Sequence, residues 1–411
     1  MAPQELELGS RRPDAASDLF ISRQPVVDGH MRVTGYRVAY ATADGSEHGE
    51  GTAARLLGDV LSGVGLDELV GESLAHLPLS RELLLALGVP PVRPDRVLLR
   101  IAHDTAGDPE VAGVLDALTG RGYALSLHEL PGPDFDASLL EMFGTVEIEL
   151  RASSPEDAAR AVARIQAARA TALASGLVDY KEFEHAKGLG FELFSGPFYA
   201  SRHKAAVRKI PIGEMGTLVA LAALQGGSAT IEELEQVIDR DVGLSVKLLR
   251  YINSAYVGLR GSISSIHQAV MMLGSRGVSR WALLVALTGG PHAPRELSVV
   301  GLTRARMCEL LGVGDSNVAG DQLFTVGLLS VADALLQMPL ETIVEELPLA
   351  GEVSAALLER DGPAGAILEA VVSYEQGDFD VAALRSRAPG IASSYRDALG
   401  WAVEAVSSLA A

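Results

Sequence analysis

Apolar and polar residues follow two different rhythms along the chain, and the rhythm changes near residue 203. Before that point, short apolar runs such as VLLRIA, YALSLHEL and TVEIEL alternate with helical patterns such as DPEVAGVLDALTGRG. The runs recur at intervals of roughly 25–30 residues, which is typical of repeated βα units and a parallel sheet. Six or seven such units over residues 19–203 predict a barrel or a doubly wound sheet. A barrel here would be a trimmed α/β barrel, because a full eightfold barrel usually takes about 250 residues.

Residues 204–411 lack strand patterns, and their apolar residues recur at helical spacing, which predicts a compact all-α domain. The run TIEELEQVIDR begins with Thr230 and has Glu233 three residues later, the spacing of a capping box. In SIHQAVMMLG, Ser265 is a candidate N-cap and Gly274 a candidate helix stop. Residues 1–18 are polar and aperiodic, so we expect a disordered leader.

Charge and cysteine content limit the kinds of partner and of cellular compartment that fit this chain. The chain has 411 residues and a formal net charge of -19, which repels phosphate backbones and argues against nucleic-acid binding. Cys308 is the single cysteine, so no intramolecular disulfide can form. The longest apolar stretches are much shorter than the ~20 residues needed to span a bilayer. A cytoplasmic protein without a membrane segment is therefore expected.

The first part of the chain resembles EAL domains, the cyclic-di-GMP phosphodiesterases. The similarity lies in the opening ISRQPVVDGHMRVTGYRVAY and in the closing VDYKEFEHAKGLGFELFSGPFYA. The second part resembles HDOD domains, helical relatives of the HD hydrolases that lack the metal ligands. The phrase IDRDVGLSVKLLRYINSAYVGLRGSISSIHQAVMMLGSRGVSRWALLVAL carries that resemblance. Together they imply a two-domain bacterial signalling protein with an EAL-type barrel followed by an HDOD helical bundle.

The resemblance implies an EAL-type site at the carboxyl ends of the strands, where two divalent cations polarise a phosphodiester. This chain carries other residue types at the family's positions. The first-strand glutamate is replaced by Arg37, the next asparagine by Pro78 and the third-motif glutamate by Arg100. His128 and Glu129 stand in place of the aspartate pair, and Glu147 stands in place of the lysine, with Glu149 beside it. Val178 replaces the late glutamate and Ser195 the glutamine before the glycine turn.

Two arginines in place of metal ligands predict that the metal chemistry is lost. A guanidinium has no lone pair to offer a cation, and its charge repels one. We therefore expect no catalytic residues, no metal and no other cofactor. Two interpretations of the altered charges remain open. Arg37 and Arg100 either form a structural salt-bridge cluster with nearby glutamates that plugs the barrel, which is the favoured interpretation, or they bind an anionic ligand.

The helical part shows a similar loss. GLLSVADALL stands where an HD hydrolase reads Gly-Leu-Leu-His-Asp, so Ser330 and Val331 occupy the positions of the His-Asp pair. Neither side chain is a useful ligand for a hydrolytic metal.

Three functional interpretations follow from these losses. The leading one is a protein without enzymatic activity that acts as a signalling scaffold by docking a regulatory protein partner. The second is a receptor that binds a nucleotide or another anion at the barrel mouth without cleaving it. The third, an active cyclic-di-GMP phosphodiesterase, requires the assignments at Arg37 and Arg100 to be wrong. The resemblance to EAL domains also implies a homodimer.

Overall fold

The structure is a computed structural model that describes residues 19–42, 65–130, 132–133, 135, 137–202, 230–239, 242–253, 263, 265–288, 294–312, 320–380 and 388–410. The expected leader, residues 1–18, lies outside the described residues. The helical pattern TAARLLGDVLSG, residues 52–63, also lies outside them.

Eight strands close into a barrel in chain order. They are β1 (Leu19–Asp28), β2 (Val33–Thr42), β3 (Leu74–Pro78), β4 (Val97–Ala102), β5 (Ala124–His128), β6 (Thr145–Glu149), β7 (Thr171–Ser175) and β8 (Leu193–Ser195). Strands β2 to β8 run parallel to one another, whereas β1 is antiparallel to both β2 and β8. Because of this direction, β1 enters the barrel at the end where the parallel strands leave it.

The antiparallel β1 is the main departure from the predicted run of βα units. A tight turn joins it to β2, in which Asp28 Oδ1 accepts hydrogen bonds from the backbone amides of His30 and Arg32. Such a hairpin needs only a few residues, whereas a parallel crossover needs a dozen or more. The predicted interval of roughly 25–30 residues between strands therefore gives no separate strand for β1.

Six α-helices alternate with the strands of the barrel, and four of them begin at a capping side chain. They are α1 (Leu66–Val70), α2 (Arg81–Leu87), α3 (His103–Ala106), α4 (Pro109–Gly120), α5 (Pro155–Ala167) and α6 (Tyr180–Leu189). Ser80, Asp108, Ser154 and Asp179 each accept a hydrogen bond from a first-turn backbone amide. Short 3-10 turns cover Pro94–Arg96, Ala137–Glu141, Leu150–Ala152 and Pro197–Ala200.

The described residues after 230 are helical, which confirms the predicted helical region. The helices are α7 (Ile231–Asp239), α8 (Val242–Ile252), α9 (Ile266–Thr288), α10 (Arg295–Leu311), α11 (Gly320–Leu329), α12 (Ala332–Leu336), α13 (Leu340–Glu346), α14 (Gly351–Leu358), α15 (Gly362–Glu375) and α16 (Ile391–Ala410). No helix in the part of the chain that the structure describes is long and apolar enough to cross a membrane.

The three start and stop signals predicted in this region are confirmed. The Thr230 amide donates to Glu233 Oε2 at 2.9 Å and the Glu233 amide donates to Thr230 Oγ1 at 3.2 Å, so the predicted capping box is confirmed. Ser265 Oγ accepts from the Gln268 amide, as expected of an N-cap. Gly274 leaves the helical conformation at φ 74° and ψ 161°, so the predicted stop ends a first helix there, and a second helix continues directly to Thr288.

The helical region packs directly on β1. Strand β8 is short and pairs with β1 only at Val26–Asp28, so part of that edge of β1 needs other partners. The Ile21 amide donates to the Tyr374 hydroxyl at 2.9 Å, and the Arg23 amide donates to the Tyr395 hydroxyl at 3.1 Å. The last two long helices, α15 and α16, thereby satisfy backbone donors of the barrel.

Candidate ligand-binding site at the barrel mouth

Three charged side chains from alternate strands meet inside the carboxyl end of the barrel. Arg37 on β2 and Arg100 on β4 both pair with Glu147 on β6, at 3.0 Å for Arg37 Nη2 to Oε1 and 2.9 Å for Arg100 Nε to Oε2. Inward side chains of such barrels form layers contributed by alternate strands, which accounts for the meeting of β2, β4 and β6. The side chains of Arg37, Arg100 and Glu147 are only 23%, 9% and 6% exposed.

The carboxylate in this cluster is held in its charged form. Burial by itself raises the pKa of Glu147, but Arg37 and Arg100 outweigh burial and hold that pKa well below its usual range. Burial and the neighbouring Arg100 lower the pKa of Arg37, while Glu147 raises it. A guanidinium in a protein nevertheless stays protonated. One carboxylate therefore balances two cations at neutral pH.

Two histidines beside the cluster add no charge near neutral pH. Burial and the neighbouring Arg100 lower the pKa of His128, at the end of β5, to about 4. The same two causes lower the pKa of His76, on β3, to about 3. His76 fits beside β2 because Gly35 has no side chain, and a Cβ there would lie 2.8 Å from the imidazole Nε2. With both imidazoles neutral, Arg37, Arg100 and Glu147 carry a local net charge of plus one.

Two adjoining cavities open above this cluster, with volumes of about 520 and 610 Å³. Both are lined by Arg37, Arg100, His128 and Glu129. The smaller one lies over β5, β6 and β7 and is also lined by Glu147, Glu149 and Ser175. The larger one lies over β1 to β4 and reaches the turn that follows α15.

The other residues predicted at this site differ in position. Pro78 ends β3 and lines the larger cavity, and Glu149 is an exposed residue that lines the smaller one. Glu129 has a positive φ of 57° and a side chain that is 72% exposed, 3.5 Å from His128 Nδ1. Val178 and Ser195 line neither of these cavities. Ser195 Oγ is buried and has no hydrogen-bond partner among the described residues.

Divalent cations do not fit the residues that the structure describes at the mouth. Guanidinium groups occupy two of the positions where the EAL resemblance implies ligands. No group of three or more His, Cys, Asp or Glu side chains with metal-binding geometry occurs in the described parts of the chain. We therefore derive no catalytic step through a metal.

The predicted pair in the helical region lies apart from the mouth. Ser330 ends α11 and donates to the Gly327 carbonyl at 2.7 Å, and its hydroxyl also accepts from Arg304 Nη1 at 3.3 Å. Val331 is fully buried. Arg304 on α10 is thus the charged group beside these positions, and its partner is the Glu375 carboxylate.

Sequence reasoning missed four residues that complete the mouth. His76 precedes Pro78 by two positions on the same strand, so the period-two alternation of a strand could have found it. Gln24 lies on β1, which the predicted spacing of strands did not include. Gln376 and Gly377 line the larger cavity from the other end of the chain, and no local signal connects them to the barrel.

Comparisons with known proteins agree with the two-part organisation. The model of the HDOD domain family matches residues 218–347. A Vibrio cholerae protein named cyclic di-GMP phosphodiesterase CdgJ is 27% identical over 380 residues, which cover 89% of this chain and 87% of that protein. The uncharacterized protein YuxH of Bacillus subtilis is 24% identical over 88% of this chain and 92% of its own length.

Solved structures give a lower level of similarity. A manganese and cyclic-di-GMP complex of Klebsiella pneumoniae BlrP1 is 17% identical, with a TM-score of 0.38, over 45% of this chain and 56% of that chain. The EAL enzyme Bd1971, in a form with cAMP and cyclic-di-GMP bound, is 13% identical with a TM-score of 0.35, over 44% of this chain and 61% of its own.

These comparisons correct one prediction and support another. The prediction that the chain is not an enzyme is contradicted by the Vibrio cholerae relative, which is named for a phosphodiesterase activity. The inference from the two arginines was therefore too strong, since it extended the loss of family metal ligands to the loss of all catalysis. The relation to cyclic-di-GMP signalling is supported by the same relative.

Proposed function

We propose that this protein acts in cyclic-di-GMP signalling by binding a phosphodiester of cyclic di-GMP at the barrel mouth, with Arg37 and Arg100 as fixed cations. The observation that carries the proposal is that two mostly buried guanidiniums share one buried carboxylate. Removing a charge from water is costly unless it is paired, and Glu147 pairs with two guanidiniums at once. A bound phosphate gives the two guanidiniums a further negative partner, in addition to Glu149, which also attracts Arg37.

The geometry of the guanidiniums suits a phosphate group. The ion pairs with Glu147 described above use one nitrogen of each planar group, which has five N–H donors in a fixed fork. Both arginines also line the two cavities. Hydrogen bonds from guanidinium to phosphate are charge-assisted and stronger than neutral ones. The same cations would stabilise charge that develops on phosphoryl oxygens during a reaction.

The size of the mouth also fits a nucleotide. The two adjoining cavities, of about 520 and 610 Å³, lie within the range of roughly 300–1,000 Å³ that is common for small-molecule sites. They share the arginines, so a ligand with two phosphates can place one phosphate between Arg37 and Arg100 while its bases extend into either cavity. The relative named for cyclic di-GMP supports this choice of ligand.

Calorimetry with cyclic di-GMP tests the proposal. We expect micromolar binding to the full chain, and Arg37→Ala should weaken it by about tenfold or more, because a charge-assisted hydrogen bond contributes about 1.5–3 kcal/mol. Glu147→Gln should tighten binding, since it removes the negative charge that competes for the guanidiniums. The control is Arg32→Ala, whose side chain is 76% exposed in the β1–β2 turn and pairs with Asp28.

Two results would overturn the proposal: no binding to the unaltered chain at millimolar ligand, or equal affinity in the unaltered chain and Arg37→Ala. Turnover is followed in the same samples by chromatography of the linear dinucleotide, with and without Mn²⁺. Product that forms in the unaltered chain and is lost in Arg37→Ala would assign hydrolysis to this same site.

A further inference from the structure

The turn that follows α15 forms part of the wall of the larger mouth cavity. Gln376 and Gly377 line that cavity together with Gln24 and Arg37 of the barrel. The turn belongs to the helical region, some 340 residues further along the chain than Arg37. The cavity is therefore built by both parts of the protein.

The turn is in direct contact with the two strands that begin the barrel. Gln24 Nε2 on β1 donates to the Gln376 carbonyl at 2.7 Å. Gly377 has a positive φ of 77°, and a Cβ added there would lie 2.8 Å from Ala39 Cβ and 3.5 Å from Ser22 Oγ. Only glycine adopts this conformation this close to β2 without displacing it. Ala39 is two residues from Arg37 on the same strand, so a shift of the turn reaches the anion-binding arginine.

The same turn is anchored in the interior of the helical region. The Glu375 carboxylate accepts from Arg304 Nε at 2.8 Å and from Arg304 Nη2 at 2.9 Å. The Tyr199 hydroxyl, which lies after β8, also donates to Glu375, at 3.2 Å. Arg304 belongs to α10, inside the segment that matches the HDOD model. Adjacent residues of one turn thus contact the mouth on one side and the HDOD segment on the other.

We propose that the helical domain completes the ligand site of the barrel, and that the turn 375–378 couples occupancy of the mouth to the Arg304–Glu375 pair. The inference rests on the proposed function, because it concerns the same ligand and the same cavity. Coupling between two sites is reciprocal in free energy. A change in the turn must therefore alter ligand affinity, and a bound ligand must stabilise the turn and the helix that holds it.

Affinity measurements on a matched pair of glycine variants test whether a change in the turn alters ligand affinity. Gly377→Ala forces the turn away from β2, and we expect it to weaken cyclic-di-GMP binding by about fivefold or more, the lower end of common coupling factors. The control is Gly362→Ala at the other end of α15. Gly362 has a similar positive φ of 70°, but a Cβ there meets nothing within 4 Å. The control therefore carries the same backbone strain without the contact, and its affinity should stay within about twofold of that of the unaltered chain.

Hydrogen exchange on the unaltered chain tests whether a bound ligand stabilises the turn and the helix that holds it, and this test needs no variant. Saturating cyclic di-GMP should slow exchange of the Gln376, Gly377 and Asp378 amides, which bond to carbonyls of α15, and of amides in α10 around Arg304. Exchange in α13, which is absent from both cavity linings, should not change.

The outcomes separate this inference from the proposed function. If the unaltered chain binds cyclic di-GMP in an Arg37-dependent way but Gly377→Ala binds equally well, or exchange in the turn and α10 is unchanged, the coupling is wrong and the proposed function stands. If the unaltered chain does not bind the ligand at all, the proposed function falls and the coupling with it. A Gly377→Ala protein that fails to fold is replaced by Gln24→Ala, which removes the hydrogen bond to the turn from an exposed position.

Discussion

Buried histidines at the barrel mouth are neutral, whereas the buried arginines beside them stay charged. Burial removes water from both residue types, which disfavours every charged form. Histidine can give up its proton near neutral pH. Burial therefore lowers the pKa values of His76 and His128 to about 3 and about 4. Arginine cannot lose its proton, so Arg37 and Arg100 stay charged and take Glu147 as a partner.

The buried histidines predict that stability falls as the pH is lowered from neutral. The native pKa of His76, about 3, lies below the value of 6.5 for an unshifted histidine, so the unfolded chain binds a proton that the native state does not. The free energy of unfolding is unaffected by the titration of His76 above pH 6.5. As the pH falls from there toward the native pKa, this free energy decreases by up to about 1.4 kcal/mol per pH unit. His128 adds a similar loss between 6.5 and about 4.

Urea unfolding at about pH 7 and about pH 5.5 measures this effect. His76→Gln should remove its share of the pH dependence, because glutamine does not titrate. The control is His185→Gln, the same substitution at an exposed position of α6. An identical pH dependence in the unaltered chain and in His76→Gln would show that His76 is not a source of it.

At the scale of elements, the short strand β8 leaves part of β1 without a neighbouring strand, and two tyrosines of the helical region take that place. A buried backbone amide without a partner is costly. The hydroxyls of Tyr374 and Tyr395 accept the hydrogen bonds of the Ile21 and Arg23 amides, in place of the carbonyls of a longer β8. Both tyrosine side chains are almost fully buried, and burial raises their pKa values. Side chains from α15 and α16 therefore complete the hydrogen bonding of the barrel edge.

Removing one hydroxyl should have a local and selective effect. Tyr374→Phe leaves the Ile21 amide without an acceptor, and we expect a loss of about 1–3 kcal/mol in the free energy of unfolding. Exchange of the Ile21 amide should become faster while that of Arg23 stays unchanged, and Tyr395→Phe should give the reverse pattern. The amide of Val27, in the segment paired with β8, is the internal control. Equal effects on both amides in either variant would mean a general loosening of β1 instead.

At the scale of the whole molecule, charged groups join the barrel to the helices at two buried places. Arg23 on β1 contacts Glu296 on α10 at 3.2 Å, and the Tyr36 hydroxyl donates to the same carboxylate at 2.7 Å. Arg304, Glu375 and Tyr199 form the second junction. Because a buried charge is costly without its partner, each junction favours one relative arrangement of barrel and helices.

A double-mutant cycle measures the second junction. Arg304→Met leaves Glu375 without its cation, and Glu375→Gln leaves Arg304 without its anion, so each single variant should lose about 3–5 kcal/mol. The double variant should lose less than the sum of the two by about 0.5–3 kcal/mol, measured by urea unfolding. Glu369→Gln is the control, because Glu369 is 53% exposed and its pair with Arg360 is worth little. Additive losses in the cycle would show that Arg304 and Glu375 do not stabilise each other, so that the helical side of this junction does not depend on their pairing.

The sequence by itself determined what is set by neighbours along the chain. Alternating apolar runs and helical patterns predicted repeated βα units followed by a helical region, because side-chain period follows local backbone geometry. The capping box at Thr230 needs only residues three positions apart. The resemblance to EAL domains placed Arg37, Arg100 and Glu147 at the strand ends, though not which of them would pair. The regulatory partner and the homodimer stay predictions.

Only the tertiary structure decided which distant groups meet. The antiparallel closure by β1, the two tyrosines on its edge, the Arg304–Glu375 junction and the Gln376–Gly377 wall of the cavity join residues far apart in sequence. Periodicity carries no information on such pairs, because it records which face of an element is buried and not what lies opposite that face. Burial then set the charge states at the mouth, since desolvation and the nearest charges shift a pKa only after the chain has brought those groups together.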